Sequence, residues 1–225
     1  NFQNIDPLKE AYRESITHSP AVTRSLQLHK TALLCIDVQN YGLVPKETPD
    51  EQARWQPFFD RMRETVIPRL RALQEDFRAR GMDVIHARIA CLLGDGRDRS
   101  LSQKMPGWNN LLMPKHTEAS QIVPELAPRP GEIVVTKTTD SALTGTNLRL
   151  VLANMGIRNL VVTGIYTDQC VSSTVRSLAD ESFNVVVVED CCAAGTDDLH
   201  RRELEIINMI YCHVMSSREL LQLMP

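Results

Sequence analysis

The sequence predicts an α/β protein: a doubly wound, mostly parallel six-stranded sheet with helices on both faces, a Rossmann-like arrangement. Two observations predict it. Short apolar runs rich in Val, Ile and Leu recur along the chain without polar alternation, the pattern of strands covered on both faces. Between these runs, apolar residues return every three or four positions, the period of an amphipathic helix. Regular alternation of the two lays parallel strands side by side with crossover helices, and 225 residues at 43% hydrophobic supply one ample core.

In chain order, residues 1–30 are polar and mixed, with helical spacing around Leu8 to Ile16. They read as an arm lying over the domain or a neighbouring subunit, and 31–225 as a single domain. Thr31 to Val38 is the first strand, ending in Asp37 and followed by Gln39 and Asn40. Thr48-Pro49-Asp50-Glu51 has the form of a capping box with Pro at the first helical position. Pro57 is expected to divide a short helix from a longer one. In the longer helix, Phe58, Met62, Val66, Leu70, Leu73 and Phe77 form the buried stripe, Pro68 introduces a kink, and Gly81 ends it.

Met82 to Ile89 is a second strand, with His86 as a satisfied histidine in or near the core. Residues 90–130 have weak periodicity and many Gly and Pro residues; a loop region this long inside a compact domain is usually functional. It is expected to shape a pocket, with Trp108 either lining that pocket or pinning the loop. Glu132 to Thr136 is a third strand and runs into Lys137. A helix from Asn147 to Met155, closed by Gly156, precedes the strand Asn159 to Thr163. Next come a helix bearing Cys170, the strand Asn184 to Glu189, a helix capped by Asp197 and running to about Tyr211, a short strand His213 to Met215, and a terminal helix capped by Ser216.

Net charge is −3 with an isoelectric point near 6.1, which gives no footprint for a nucleic-acid partner. No apolar run is long enough to span a bilayer, and the first residues lack a signal-peptide pattern. Six scattered cysteines without a C-x-x-C spacing fit reduced, cytoplasmic usage. The vicinal pair Cys191-Cys192 reads as small residues packed at a strand end.

Cys170 falls in the first turn of a helix that follows a central strand. Unpaired N–H groups and the positive end of the helix dipole favour a thiolate there and can hold a developing oxyanion. A buried, inert thiol fits the same stretch. Asp37 and Lys137 also fall at or just past strand ends, where open parallel sheets bind their ligands. Together the three make a coherent set: Cys170 as nucleophile, Lys137 as the cation holding a thiolate, and Asp37 as proton acceptor and donor. Taken singly, Asp37 also reads as a loop cap and Lys137 as a solvated lysine.

Three segments resemble the isochorismatase-like cysteine hydrolase superfamily: Leu34-Cys35-Ile36-Asp37-Val38-Gln39-Asn40; Val134-Val135-Thr136-Lys137 with Ser141-Ala142-Leu143-Thr144-Gly145-Thr146-Asn147-Leu148; and Val162-Thr163-Gly164-Ile165-Tyr166-Thr167-Asp168-Gln169-Cys170-Val171. The resemblance covers roughly residues 30–220. It implies an isochorismatase-like hydrolase fold, an Asp37–Lys137–Cys170 triad, a cis peptide between Ile165 and Tyr166, and an oxyanion hole from the Tyr166 and Cys170 N–H groups. It also implies a homo-oligomer. The substrate pocket is expected to draw on Gln39, Asn40, Trp108, Leu143 and Tyr166. Leu143 stands where many relatives carry Phe, a change expected to reshape that pocket.

The segment from His86 to Cys91 lacks the Asp and His cluster of the zinc-dependent branch, so no metal and no cofactor are expected. Arg88, Arg97 and Arg99 are candidates to meet an anionic substrate group, although solvation suits at least two of them. The leading expectation is a metal-independent cysteine hydrolase cleaving a C–N bond in a small amide, ureido or carbamoyl compound through a Cys170 thioester. The alternatives are a vinyl-ether hydrolase using Asp37 and Lys137 alone, and a non-catalytic binding protein with a relic site.

Overall fold

The structure is a computed structural model that describes residues 28–224; the N-terminal helix expected around Leu8 to Ile16 lies outside them. Six strands, β1 (Thr31–Ile36), β2 (Asp83–Ile89), β3 (Ile133–Lys137), β4 (Asn159–Ile165), β5 (Asn184–Ala193) and β6 (His213–Met215), form one sheet in the order β3-β2-β1-β4-β5-β6. Every neighbouring pair is parallel. The helices are α1 (Pro49–Arg61), α2 (Ile67–Ala79), α3 (Leu148–Asn154), α4 (Ser172–Asp180), α5 (Asp197–Ile207) and α6 (Ser217–Leu223).

Alternate side chains of β1 enter opposite cores. Leu33 and Cys35 pack with Phe58, Leu70 and Phe77 of α1 and α2, and with Leu220 of α6. Leu34 and Ile36 pack with Leu148, Leu152, Val175, Leu178 and Leu204 of α3, α4 and α5. All six residues of β1 are buried, which explains why its sequence shows no alternation.

The chain leaves β1 toward β2 on one side and returns as β4 on the other. The crevice beyond the carboxyl ends of β1 and β4 is therefore the topological switch point, where such sheets bind ligands. The close approach of the two strands there depends on Gly164. Its φ is +118°, and a Cβ would lie 1.9 Å from the Ile36 carbonyl oxygen, a clash no side chain tolerates.

Several local expectations change. Pro57 does not divide the helix: α1 runs through it to Arg61, losing one ladder bond while buried Phe58 and Phe59 hold the following turn. The irregularity comes later, as a π turn over Met62–Val66 in which the Ile67 N–H reaches the Met62 carbonyl. This turn precedes Pro68, which has no N–H to continue a regular ladder.

β5 continues past Glu189 to Ala193, because its pairing with β4 slips: Val162 faces Val187 but Gly164 faces Cys192. Cys191 and Cys192 thus lie at the carboxyl end of the extended strand, just before Ala193, and both are fully buried, as expected of small residues packed at a strand end. The cap of α5 is Thr196, whose side chain accepts the Leu199 N–H, with Asp197 as the first helical residue. That helix stops at Ile207 rather than near Tyr211, since Asn208 turns out of it and its Oδ1 accepts the Val214 N–H. Ser216 caps α6 in a reciprocal pair with Glu219, as expected. Among the described residues, no helix is long and apolar enough to cross a membrane.

Candidate active site

Asp37 follows the last residue of β1, with φ +55° and its N–H donated to the Ala87 carbonyl at 2.9 Å. This turn aims the carboxylate beneath the crevice, where the residue is only 7% exposed. Lys137 ends β3, two strands away. Its side chain reaches past the end of β2 and is 0% exposed. There Nζ donates to Asp37 Oδ2 at 2.7 Å, to the Thr139 carbonyl at 3.1 Å and to Cys170 Sγ at 3.2 Å, which occupies all three ammonium hydrogens. Cys170 lies in the π turn Thr167–Val171 that opens α4 directly after β4. Three side chains from three strand ends thus meet at one point.

Electrostatics assigns their resting states. Burial raises the Asp37 carboxyl above its ordinary value, and the Lys137 charge opposes that rise only in part. Burial works against the Lys137 ammonium, but Asp37, and after it the contact with Cys170, outweigh burial and hold its pKa above the ordinary lysine value. Burial and then Asp37 push the Cys170 thiol well up, against Lys137, with Asp140 adding to the rise. Burial and Asp37 thus oppose the thiolate that the helix N-terminus would favour, and they favour the thiol form of the sulfur at rest. The buried Asp37 Oδ1 has no hydrogen-bond partner, so an unused acceptor stands ready for a proton.

Asp140 was not legible as a site residue. Its Oδ1 lies 3.7 Å from Cys170 Sγ and accepts Gln103 Nε2 at 2.7 Å; its place three residues past Lys137 was the available signal. The start of the turn that carries Cys170 is held by a second network. The Arg61 guanidinium lies 2.9 Å from His200 Nε2, and His200 Nδ1 lies 2.7 Å from Thr167 Oγ1. An Arg can only donate, so Nε2 is the acceptor and Nδ1–H donates to Thr167. Burial and Arg61 push His200 down to about 3, which keeps the ring neutral.

A cavity of about 250 Å³ opens on Cys170 and Asp37, walled also by Gln39, Tyr41, Lys46, Trp55, Asn109 and Tyr166. The peptide between Ile165 and Tyr166 is cis. Gln39 is a structural part of this wall: its amide donates to the Ile89 and Ser120 carbonyls and its oxygen accepts the Ile89 N–H. The 90–130 segment contributes Asn109, Leu111 and Met113.

Three pocket expectations are corrected, since none of Asn40, Trp108 and Leu143 is on this wall. The Asn40 side chain turns away to the Glu118 carbonyl. Trp108 is 64% exposed. Leu143 is buried among Ala142, Leu148 and Val171, so its size acts on the core. The candidate anion arginines are committed elsewhere: Arg88 to Thr136 and Gln121, Arg97 to Asp95, and Arg99 to the Gly96 and Gln103 carbonyls. His86 is buried and paired with Glu132 at 3.1 Å. Among the described residues, no group of three His, Cys, Asp or Glu is placed to hold a metal ion.

A family model, the isochorismatase domain, matches residues 31–219. The chain is similar to the ureidoacrylate amidohydrolase RutB of Agrobacterium fabrum, 42% identical over 39% of each chain. It spans less than half the length of the ureidoacrylate amidohydrolases it matches. An isochorismatase family protein from Burkholderia thailandensis superposes with a TM-score of 0.73 at 28% identity, over 89% of this chain and 98% of that one. The N-carbamoylsarcosine amidase of Thermoplasma acidophilum shares the fold, with a TM-score of 0.64 at 23% identity over 84% of this chain and 96% of that one.

Proposed function

The chain belongs to the isochorismatase family, and from that premise we propose that it is a metal-independent cysteine hydrolase cleaving a C–N bond in a small amide, ureido or carbamoyl compound. The observation that carries this reading is the buried Asp37–Lys137–Cys170 contact set opening on a single cavity. The similarity to ureidoacrylate amidohydrolases supports the ureido class. All six cysteines are free thiols, which supports a reducing, cytoplasmic setting.

In the proposed mechanism, Cys170 Sγ attacks the substrate carbonyl carbon as its proton passes to Asp37, whose raised carboxyl is the better base for being buried. Lys137 stays charged, steadies the sulfur as negative charge develops, and keeps Asp37 oriented. The Tyr166 and Cys170 N–H groups serve the tetrahedral oxyanion, as the first turn of a helix offers unpaired donors. Collapse breaks the C–N bond, and Asp37 returns the proton to the departing nitrogen. Asp37 then takes a proton from water, whose oxygen attacks the thioester; the sulfur leaves and regains its proton from Asp37.

The test is ammonia or amine release from a panel of small amides, ureas and N-carbamoyl compounds, ureidoacrylate among them, by wild type and by Cys170→Ala. The reading expects release by wild type on at least one ureido or amide compound and loss of about 10³-fold or more in the variant. Equal turnover by the two proteins would overturn it.

A further inference from the structure

Lys46 is the one cationic side chain on the cavity wall among the described residues. The other cation of the site, Lys137, sits behind the wall and is neutralised by Asp37 at 2.7 Å. Lys46 has no such neighbour: among the described residues, no carboxylate lies within ion-pair distance of it. Its Nζ instead rests 4.4 Å from the centroid of the Trp55 ring, a contact that anchors a cation without cancelling its charge.

Trp55 is itself fixed. It meets Phe58 edge-on at 5.4 Å and Tyr166 at 6.1 Å. Tyr166 adjoins the turn that carries Cys170, so the ammonium is held at a set place relative to the nucleophile. The backbone at Lys46 is tied as well, its N–H donated to Gln52 Oε1 at 2.8 Å. The arginines that could have met an anion are all committed elsewhere, which leaves this corner as the positive pole of the cavity.

We infer that Lys46, seated on Trp55, is a specificity-determining residue that binds a carboxylate, so that the substrate is an amide or ureido acid with its carbonyl at Cys170 and its anionic end at Lys46. The inference rests on the hydrolase reading above for what lies at Cys170, and it stands apart from it as a binding claim. A cavity of about 250 Å³ suits a compound of this modest size.

The test separates the two by measuring binding in Cys170→Ala, which cannot turn over. The probes are N-carbamoylglycine, N-carbamoyl-β-alanine and 4-ureidobutyrate, a series of increasing reach, each compared with its own primary amide by calorimetry at low salt. At least one acid is expected to bind about tenfold or more tightly than its amide, the scale of a hydrogen bond to a charged group. Adding Lys46→Met, which keeps the apolar stem on Trp55, is expected to erase that preference, and Lys46→Arg to restore part of it. No acid binding better than its amide, or a preference that survives Lys46→Met, would overturn the inference. Lys46-dependent binding of these acids, with no release from any of them or from the wider panel by the wild type, would instead overturn the hydrolase reading and leave this one standing.

Discussion

At Cys170, burial and the carboxylates of Asp37 and Asp140 outweigh the single cation of Lys137 and hold the sulfur as a thiol. Asp37 therefore acts in two opposed ways. Its negative charge raises the thiol pKa, yet in the proposed mechanism its unpartnered carboxylate oxygen receives the thiol proton. Asp37→Asn should separate the two effects: turnover falls by about 10²–10⁴ with loss of the base, while the thiol pKa drops because a negative neighbour has gone and Lys137 remains. Iodoacetamide labelling of Cys170 followed against pH checks this, with a midpoint moving to lower pH expected and a midpoint moving up contradicting it. The placement of Asp37, Lys137 and Cys170 was legible because Asp37 and Lys137 end apolar runs and Cys170 falls in the first turn of the helix that follows one. The direction of the thiol shift was not, since it depends on burial and on how near Asp37, and then Asp140, come to the sulfur. Lys46 was missed for the same reason: nothing in the sequence pairs it with Trp55.

The elements are joined by similarly specific contacts. Glu132, just before β3, takes Arg78 of α2 through two oxygens at 2.7 and 2.9 Å, and also accepts the Arg129 N–H and His86 Nε2. Burial opposes its charged form, but Arg78 and these other donors prevail and hold the carboxyl down at about 2. A depressed carboxylate stabilises the fold above its ordinary pKa of 4.5 and loses that contribution as pH falls toward 2. Glu132→Gln should cost on the order of 2 kcal/mol in urea unfolding at neutral pH, and the gap to wild type should close between about pH 4.5 and 2. A gap that is constant across that window would show the contribution to be packing alone. At this scale the strands were legible from their unbroken apolar runs. The extension of β5 and the π turn before Pro68 were not, because a slipped register and a strained helix depend on what packs against them.

Across the molecule, the order β3-β2-β1-β4-β5-β6 sets the switch point between β1 and β4, and Asp37 and Cys170 leave the sheet on its two sides. Alternating strand and helix patterns were enough to place these residues at carboxyl ends. The far wall of the cavity was beyond that reasoning, for Tyr41, Lys46, Trp55 and Asn109 come from α1 and from loops whose course the pattern does not set. Trp108 and Leu143 show the converse: plausible residue types in plausible segments, one turned to solvent and the other into the core.

In the proposed mechanism Cys170 itself breaks the C–N bond, and rapid quenching of wild type with its best substrate, followed by intact-mass and peptide mass analysis, detects the acyl-enzyme this requires. A transient mass increase equal to the acyl group is expected on the peptide containing Cys170, rising before free product and absent in Cys170→Ala. Steady turnover with no adduct in wild type, and comparable turnover in Cys170→Ala, would contradict it and put water, not sulfur, at the carbonyl.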